Sequence, residues 1–203
     1  MSERSLHNNE VPAEVRNGRE TREVIGRAAL KLFAEQGIKE TTIRDIATAA
    51  RVAEGTMYRH YASKEDLAWR LFVHYYTTLG RELKAVQAEH EATRAKLEAM
   101  IRYFCEAYER DADMFTYLFL ARHRHMQNLT PRMPNPYLVF RRVIRDGMRR
   151  GEVPPQDPDV VASMVMGIIL QVIDSQILGG RIKQPVSTHT DTIVRACIHV
   201  LYA

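Results

Sequence analysis

TTIRDIATAARVAEGTMYRHYASKEDL, residues Thr41 to Leu67, is the stretch that decides the fold. Thr42 can cap a short helix, and Asp45 three residues on gives a capping-box-like pair. Ile43, Ile46, Ala47 and Ala50 share one side of that helix and form its buried face. Arg51-Val52 makes a turn, and a third short helix follows from about Glu54 to Tyr61. Ser63 caps a fourth helix beginning near Lys64, with Glu65 and Asp66 in its first turn, where the helix dipole favours negative charge. A short helix, a tight turn and a second helix with one buried and one free face make a helix-turn-helix. Here it runs from Thr42 to Tyr61.

Val52 of the turn and Met57 and Tyr61 of the third helix can point inward. Gly55, Thr56, Tyr58, Arg59 and His60 are left on the exposed side and at the helix start. Gly55 has no side chain, so the helix N-terminus can approach a base edge or a phosphate. Thr56 and Tyr58 offer hydroxyls, and Arg59 and His60 offer donors. Lys64 opens the next helix within reach of a phosphate, and Arg44 projects from the preceding helix toward the same surface. Taken singly, each of these is more often merely the solvated face of a small bundle.

Outward from this stretch the pattern stays helical. Residues 1–18 are polar and aperiodic and read as a flexible N-terminal arm, with Arg4 and Arg16, and Arg19 just beyond, as candidate phosphate or minor-groove contacts. Ile25, Ala28, Ala29, Leu32 and Phe33 form an amphipathic stripe that Gly37 stops. Downstream, Leu67, Leu71 and Tyr75 mark one stripe, and Leu97, Ile101, Phe104 and Tyr108 another. Further helices follow at Asp113 to His125, around Phe140 to Met148, from Asp159 to Leu178 and from Thr190 to Leu201. Prolines and glycines separate them. The expectation is an all-α chain of about nine helices, a three-helix N-terminal unit on a larger helical body.

Bulk properties narrow the class. The chain has 203 residues and a formal net charge of +4. Residues 1–66 hold as many acidic as basic side chains, so a nucleic-acid argument rests on placement, not total charge. Cys105 and Cys197 lie far apart in apolar surroundings without ligand spacing and read as buried free thiols, suited to a reducing cytoplasm. MSERSLHNNE lacks the apolar core of a signal peptide. Val160 to Ile173 is too short for a bilayer and is flanked by Asp159 and Asp174. No phosphate loop, GxSxG, HExxH or carboxylate pair stands out, so no enzyme, cofactor or membrane role is expected. His123 and His125, two apart on a helix, diverge by about 200° and cannot share a metal.

The run from Thr41 to Leu67 resembles the DNA-binding segment of TetR/AcrR-family repressors. The resemblance is carried by Ile43, Ile46 and Ala47, then Gly55-Thr56-Met57-Tyr58, then Tyr61 and Ser63-Lys64-Glu65-Asp66-Leu67. Ala28, Leu32, Phe33 and Gly37 resemble that family's first helix. It implies a DNA-binding domain at 19–66 and an effector-binding and dimerisation domain at 67–203. It also implies that Thr42, Arg44, Thr56, Tyr58, His60 and Lys64 stand at DNA-contact positions. Two residues depart from the family pattern: Arg51 stands where glycine is frequent, and Ala53 where a capping serine is common.

The resemblance further implies a homodimer on a palindromic operator in double-stranded DNA and release by a largely apolar small molecule. Val160 to Ile173, apolar almost all round, suggests a second buried face against a partner, with Ile193, Val194, Cys197, Val200 and Leu201 added from the last helix. Trp69, Phe72, Met100, Tyr103, Phe104, Tyr117, Met164 and Ile168 either line an effector cavity or fill a core. Tyr76, Phe115 and Leu118 belong to the same adaptable set. Gln171 and Asp174, with His123 and Arg122, are candidates to orient a ligand. Arg141, Arg142, Arg145, Arg149 and Arg150 read as a solvated basic face. The alternatives are an architectural DNA-binding protein without a ligand response and a helical small-molecule-binding protein.

Overall fold

Nine α-helices and two short 3-10 turns make up the regular structure of the computed structural model, which describes residues 18–130, 133–178 and 180–202. The helices are α1 (Gly18–Gln36), α2 (Ile43–Ala50), α3 (Glu54–His60), α4 (Lys64–Ala88), α5 (Thr93–Arg110), α6 (Ala112–His125), α7 (Pro136–Arg149), α8 (Pro158–Ile177) and α9 (Thr190–Leu201). The all-α architecture read from periodicity is therefore the observed one. Of the N-terminal arm, residues 1–17 lie outside the described residues, Arg4 and Arg16 among them. Gly18 opens α1, and Arg19 sits inside that helix, paired with Glu23 at 3.1 Å.

The helix boundaries around the turn have local causes. The Thr42 hydroxyl accepts from the Asp45 N–H at 3.1 Å, and the Asp45 carboxylate accepts from the Thr42 N–H at 2.8 Å. That reciprocal pair satisfies two orphan donors. At the other end of α2, Arg51 adopts the left-handed conformation at φ 56°. The Val52 N–H then reaches the Ala47 carbonyl at 2.9 Å and the Arg51 N–H reaches Thr48 at 3.1 Å, the paired bonds of a Schellman closure. Ala53 precedes α3 with no side-chain cap, whereas Ser63 caps α4 by accepting from the Asp66 N–H.

Two hydrophobic clusters hold the chain. The first gathers Ile25, Leu30, Phe33, Ile46 and Met57 from α1–α3, Leu67, Leu71 and Phe72 from α4, and Tyr117, Leu118 and Ala121 from α6. The core beneath the helix-turn-helix therefore runs past residue 66. The second cluster joins α4, α5, α7, α8 and α9 around Met100, Phe104, Phe140, Val165 and Ile169. Two close approaches fix α7 there. A Cβ on Gly80 of α4 would lie 2.7 Å from the Asn135 backbone, and one on Gly147 of α7 would lie 2.5 Å from Thr93 Oγ1. Only glycine permits helices this near. Cys105 and Cys197 are buried and free, as expected. Burial pushes both thiols up, to about 11 and about 12, so neither is a thiolate near neutrality.

The apolar run Val160 to Ile173 sits inside a longer helix: α8 has 20 residues and is long and apolar enough, by length and composition only, to cross a membrane. Val161, Ala162, Val165, Met166, Ile169 and Ile173 bury its inner face in the protein, while Val160 and Met164 stay about half exposed. In α9, Ile193, Val194, Cys197 and Leu201 are buried within the chain's own core, so they offer no surface to a partner. Periodicity shows that a residue is buried but not what buries it.

The left-handed Arg51 and the uncapped Ala53 generate a stability prediction. Arg51→Gly should relieve about 1 kcal/mol of strain, less whatever the unfolded chain gains in freedom. Ala53→Ser should add about 0.5–1 kcal/mol through a new cap. Urea melts read both as a higher midpoint at unchanged slope. A midpoint unchanged or lowered in both variants contradicts the account.

Candidate nucleic-acid interface

The three-helix unit presents α3 outward. Met57 is buried beneath it, and Tyr61 at its end is almost fully buried. Tyr58 is 60% exposed on the outer side of the helix. Gly55 and Arg59 are exposed beside it, with Thr56 and His60 half-buried. Arg59 Nη2 donates to Thr56 Oγ1 at 3.0 Å, which orders the two side chains together. His60 is held below the ordinary imidazole range by burial and by the neighbouring Arg22 and Arg59. Arg44 and Thr42 are exposed on and before α2.

Two of the expected contact residues already carry structural duties. The Thr42 hydroxyl donates to Asp45 at 2.7 Å as well as capping α2. The Lys64 ammonium donates to the Thr41 carbonyl at 2.6 Å and to the Lys39 carbonyl at 3.1 Å. It straps the start of α4 onto the loop before α2 and keeps a third N–H. No sequence spacing announced this strap, because it joins residues more than twenty apart. Thr41 completes the loop by donating to the Gly37 carbonyl at 2.8 Å.

Behind the unit, α6 is the floor. The buried Tyr117 hydroxyl donates to the Ala68 carbonyl of α4, and its ring stacks on Phe33 of α1 at 5.7 Å. Arg27 of α1 reaches Asp111, the residue that caps α6, at 2.5 Å. Near the other end, His125 is buried against Trp69 and Phe72 at 5.4 and 5.1 Å, and its Nε2 has no hydrogen-bond partner among the described residues. Burial, and secondarily Arg124, pushes its pKa down. His123 is exposed, so the two histidines do diverge.

The far side of α6 faces an apolar cavity of 190 Å³ between α4, α5, α6, α7 and α8. Phe104 lines it, with Tyr76, Phe115, Leu118 and Arg122 from the wider expected set. Leu79, Phe119, Tyr137, Met166, Leu170 and Ile173 are among the further lining residues and were not anticipated as such. The other expected lining residues lie elsewhere. Trp69, Phe72 and Tyr117 pack in the first cluster. Met100 is fully buried in the second, while Tyr103 and Ile168 pack half-buried against it. Met164 is exposed on the outer face of α8. Gln171 and Asp174 pair with each other at 3.3 Å near Leu178 and Arg181, away from the cavity. A helical period assigns faces, but which neighbour a face meets depends on helix crossing.

A capped short helix, a closed turn and an outward α3 define a helix-turn-helix unit, the class that regulators use to enter the major groove. Residues 25–71 match the family model for bacterial regulatory proteins, tetR family, which supports a TetR-family regulator. The HTH-type transcriptional repressor KstR2 of Rhodococcus jostii (strain RHA1) is 36% identical over 81 residues, 40% of each chain, so the match spans less than half of that relative. The fold is shared with the fatty acid degradation regulator FadR from Bacillus halodurans at a TM-score of 0.75 and 17% identity, over 88% of this chain and 94% of that one. It is shared also with the transcriptional regulator FadR from Bacillus subtilis in complex with stearoyl-CoA, at a TM-score of 0.73 and 16% identity, over 89% and 99%.

Tyr58 and Lys64 should separate on mutation. Tyr58→Ala should weaken duplex binding by about tenfold with an unchanged melt and salt slope, because the side chain is exposed and neutral. Lys64→Ala should lower stability by roughly 1–2 kcal/mol through the lost carbonyl bonds, and flatten the salt slope by about one unit if its free N–H meets a phosphate. Fluorescence anisotropy across salt concentrations, with urea melts, reads both. Wild-type affinity in Tyr58→Ala removes that residue from the interface.

His125 gives a pH prediction. Its folded pKa is lowered, so the unfolded chain takes up the proton first. Stability should be full above about pH 6.5 and fall as the pH drops below it. His125→Phe, which keeps the stack, should remove part of that loss. Identical acid profiles in both proteins contradict this.

Proposed function

We propose that the protein is a sequence-specific, dimeric DNA-binding transcriptional repressor of the cytoplasm, released from its operator by a largely apolar small molecule. The observation that carries the reading is the exposed Tyr58 on α3, flanked by Gly55, Thr56 and Arg59 and backed by a buried Met57. A groove-reading helix can use such a side chain's hydroxyl and ring on phosphates and base edges. The similarity to the repressor KstR2 supports DNA regulation.

The dimer reading rests on α8. Val160, Met164 and Gly167, then Gln171, follow helical spacing along its outer face, and all are exposed. Leu178, just beyond the helix, is 65% exposed. An apolar stripe left open opposite a fully packed inner face suits a second copy of the chain. Two copies would set their α3 helices about 34–36 Å apart, one turn of DNA.

The effector reading rests on the cavity behind α6. At 190 Å³ it is smaller than the ~300 Å³ and upward of ordinary ligand pockets. A larger apolar ligand must displace Phe115 and Leu118, and α6 with them. A ligand that favours the displaced state shifts the dimer away from the DNA-bound spacing. That a neighbour of this fold is described with stearoyl-CoA supports an apolar chain as occupant.

Selection of bound duplexes from a random pool tests the regulator reading. A palindromic site with half-sites one turn apart is the expected product. Retention without enrichment would instead identify an architectural protein, and no retention at physiological salt a ligand-binding protein alone. Met164→Glu tests the dimer: light scattering should show monomers, and affinity for the selected duplex should fall by about a hundredfold or more through lost bivalency. A Met164→Glu protein that remains dimeric moves the interface elsewhere.

A further inference from the structure

α4, α5 and α7 enclose a second groove, of 460 Å³, whose chemistry is opposite to that of the apolar cavity. Lys84, Lys96, Arg141, Arg142, Arg145 and Arg150 line it, and Asp146 is the one carboxylate among its described lining residues. Some of this charge is answered. Asp159 takes Arg141 through bonds of 2.5 and 2.8 Å, and Glu152 takes Arg150 at 2.5 Å. Asp146 pairs with Arg145 at 3.0 Å. The rest is not. Lys96 meets only the neutral Gln87 amide oxygen, at 3.2 Å. Among the described residues the Lys84 ammonium and the Arg142 guanidinium make no hydrogen bond or ion pair, although the Lys84 carbonyl accepts from Gln87 Nε2 at 3.1 Å.

Unanswered cations normally spread apart over a surface. Here they converge on a concavity whose floor is apolar, built by Leu138, Val139 and Val143. A low-dielectric wall strengthens their combined field. The walls are fixed, because Gly80 and Gly147 clamp α7 against α4 and α5. The groove is also remote from α3. Lys84 lies twenty residues along α4 from Lys64, about 30 Å at 1.5 Å per residue, so it is not an extension of the DNA surface. Its position next to the cavity is informative. Pro134 and Asn135 line the groove, and Pro136 and Tyr137, the next residues of the chain, line the cavity.

We infer that this groove binds a di- or triphosphate group, the head of an amphiphilic effector whose apolar chain enters the neighbouring cavity. Lys84, Lys96 and Arg142 take the phosphate oxygens through charge-assisted bonds. The inference rests on the effector reading above for the chain, but the anion site is measured without DNA and without any apolar ligand.

Calorimetry on the full chain at low and moderate salt tests it, with inorganic pyrophosphate, coenzyme A, stearate and stearoyl-CoA as probes. Pyrophosphate and coenzyme A should bind with an affinity that falls as salt rises. The Lys84→Glu/Arg142→Glu variant, with both positions unpaired and an unchanged melt expected, should lose about tenfold or more of that affinity. It should keep wild-type affinity for stearate and for the selected duplex. Stearoyl-CoA binding tighter than either coenzyme A or stearate supports a joined head and chain; pyrophosphate matching stearoyl-CoA overturns the amphiphile and leaves a free polyphosphate ligand. Absence of pyrophosphate and coenzyme A binding, or equal binding by the variant, overturns the anion site. Loss of stearate binding alone counts against the cavity reading and not against the groove.

Discussion

The buried hydroxyl of Tyr117 donates to the carbonyl of Ala68, and its ring lies on Phe33. This contact ties α6 to α4 and α1 at one point, and the arrangement of the N-terminal helices depends on it. α1–α3 are too few to enclose a core of their own. Their inward side chains, Ile25, Phe33, Ile46 and Met57, find the rest of their packing on Leu67, Phe72, Leu118 and Ala121. A buried tyrosine needs a partner for its hydroxyl, since leaving it unpaired costs about 1–3 kcal/mol. The Ala68 carbonyl answers that need in one register of α6 against α4, so the bond selects a crossing as well as stabilising it.

Local features were legible because their causes are local. The Thr42–Asp45 box, the Ser63 cap and the turn at Arg51-Val52 each depend on residues within one helical turn, and the structure has each of them. Arg51 and Ala53 were visible as departures for the same reason. The left-handed φ at Arg51 shows that the closure of α2 demands that conformation whatever residue occupies it. Lys64 was legible as a cation at a helix start but not as a strap, since its carbonyl partners come from an earlier loop. The cavity was least legible. Phe104 and Met100 share α5 and both are buried, yet one faces open space and the other packed side chains. That difference is set by where α6 and α8 cross α5, and it leaves no mark on hydrophobic periodicity.

Charge placement tells a similar story. A net charge of +4 over 203 residues says little, and the helix-turn-helix half is balanced. The informative asymmetry is within α7. Its arginines looked like a solvated face, and Arg141 and Arg145 do find carboxylates. Arg142 lines the same groove as they do without a carboxylate partner, where Lys84 and Lys96 converge from other helices. Composition along α7 is uniform, so only the packing of three helices distinguishes neutralised arginines from a concentrated positive site.

α6 is the element in which these threads meet. One face carries Tyr117 and Ala121 into the helix-turn-helix core, and the other carries Phe115 and Phe119 to the cavity, with Leu118 at the boundary touching both. On the helix-turn-helix side α6 is packed at interior density and has no slack to absorb a shift, whereas on the other side it borders the cavity. Arg27–Asp111 fastens its first turn to α1, while the other end carries His125 into the aromatic stack with Trp69 and Phe72. A shift of α6 relative to α4 would rupture the Tyr117–Ala68 bond and leave a buried hydroxyl unpaired, whereas a shift shared by α6 and the start of α4 keeps it. The hydroxyl that completes the N-terminal core therefore also favours movement of α6 and the start of α4 as one piece.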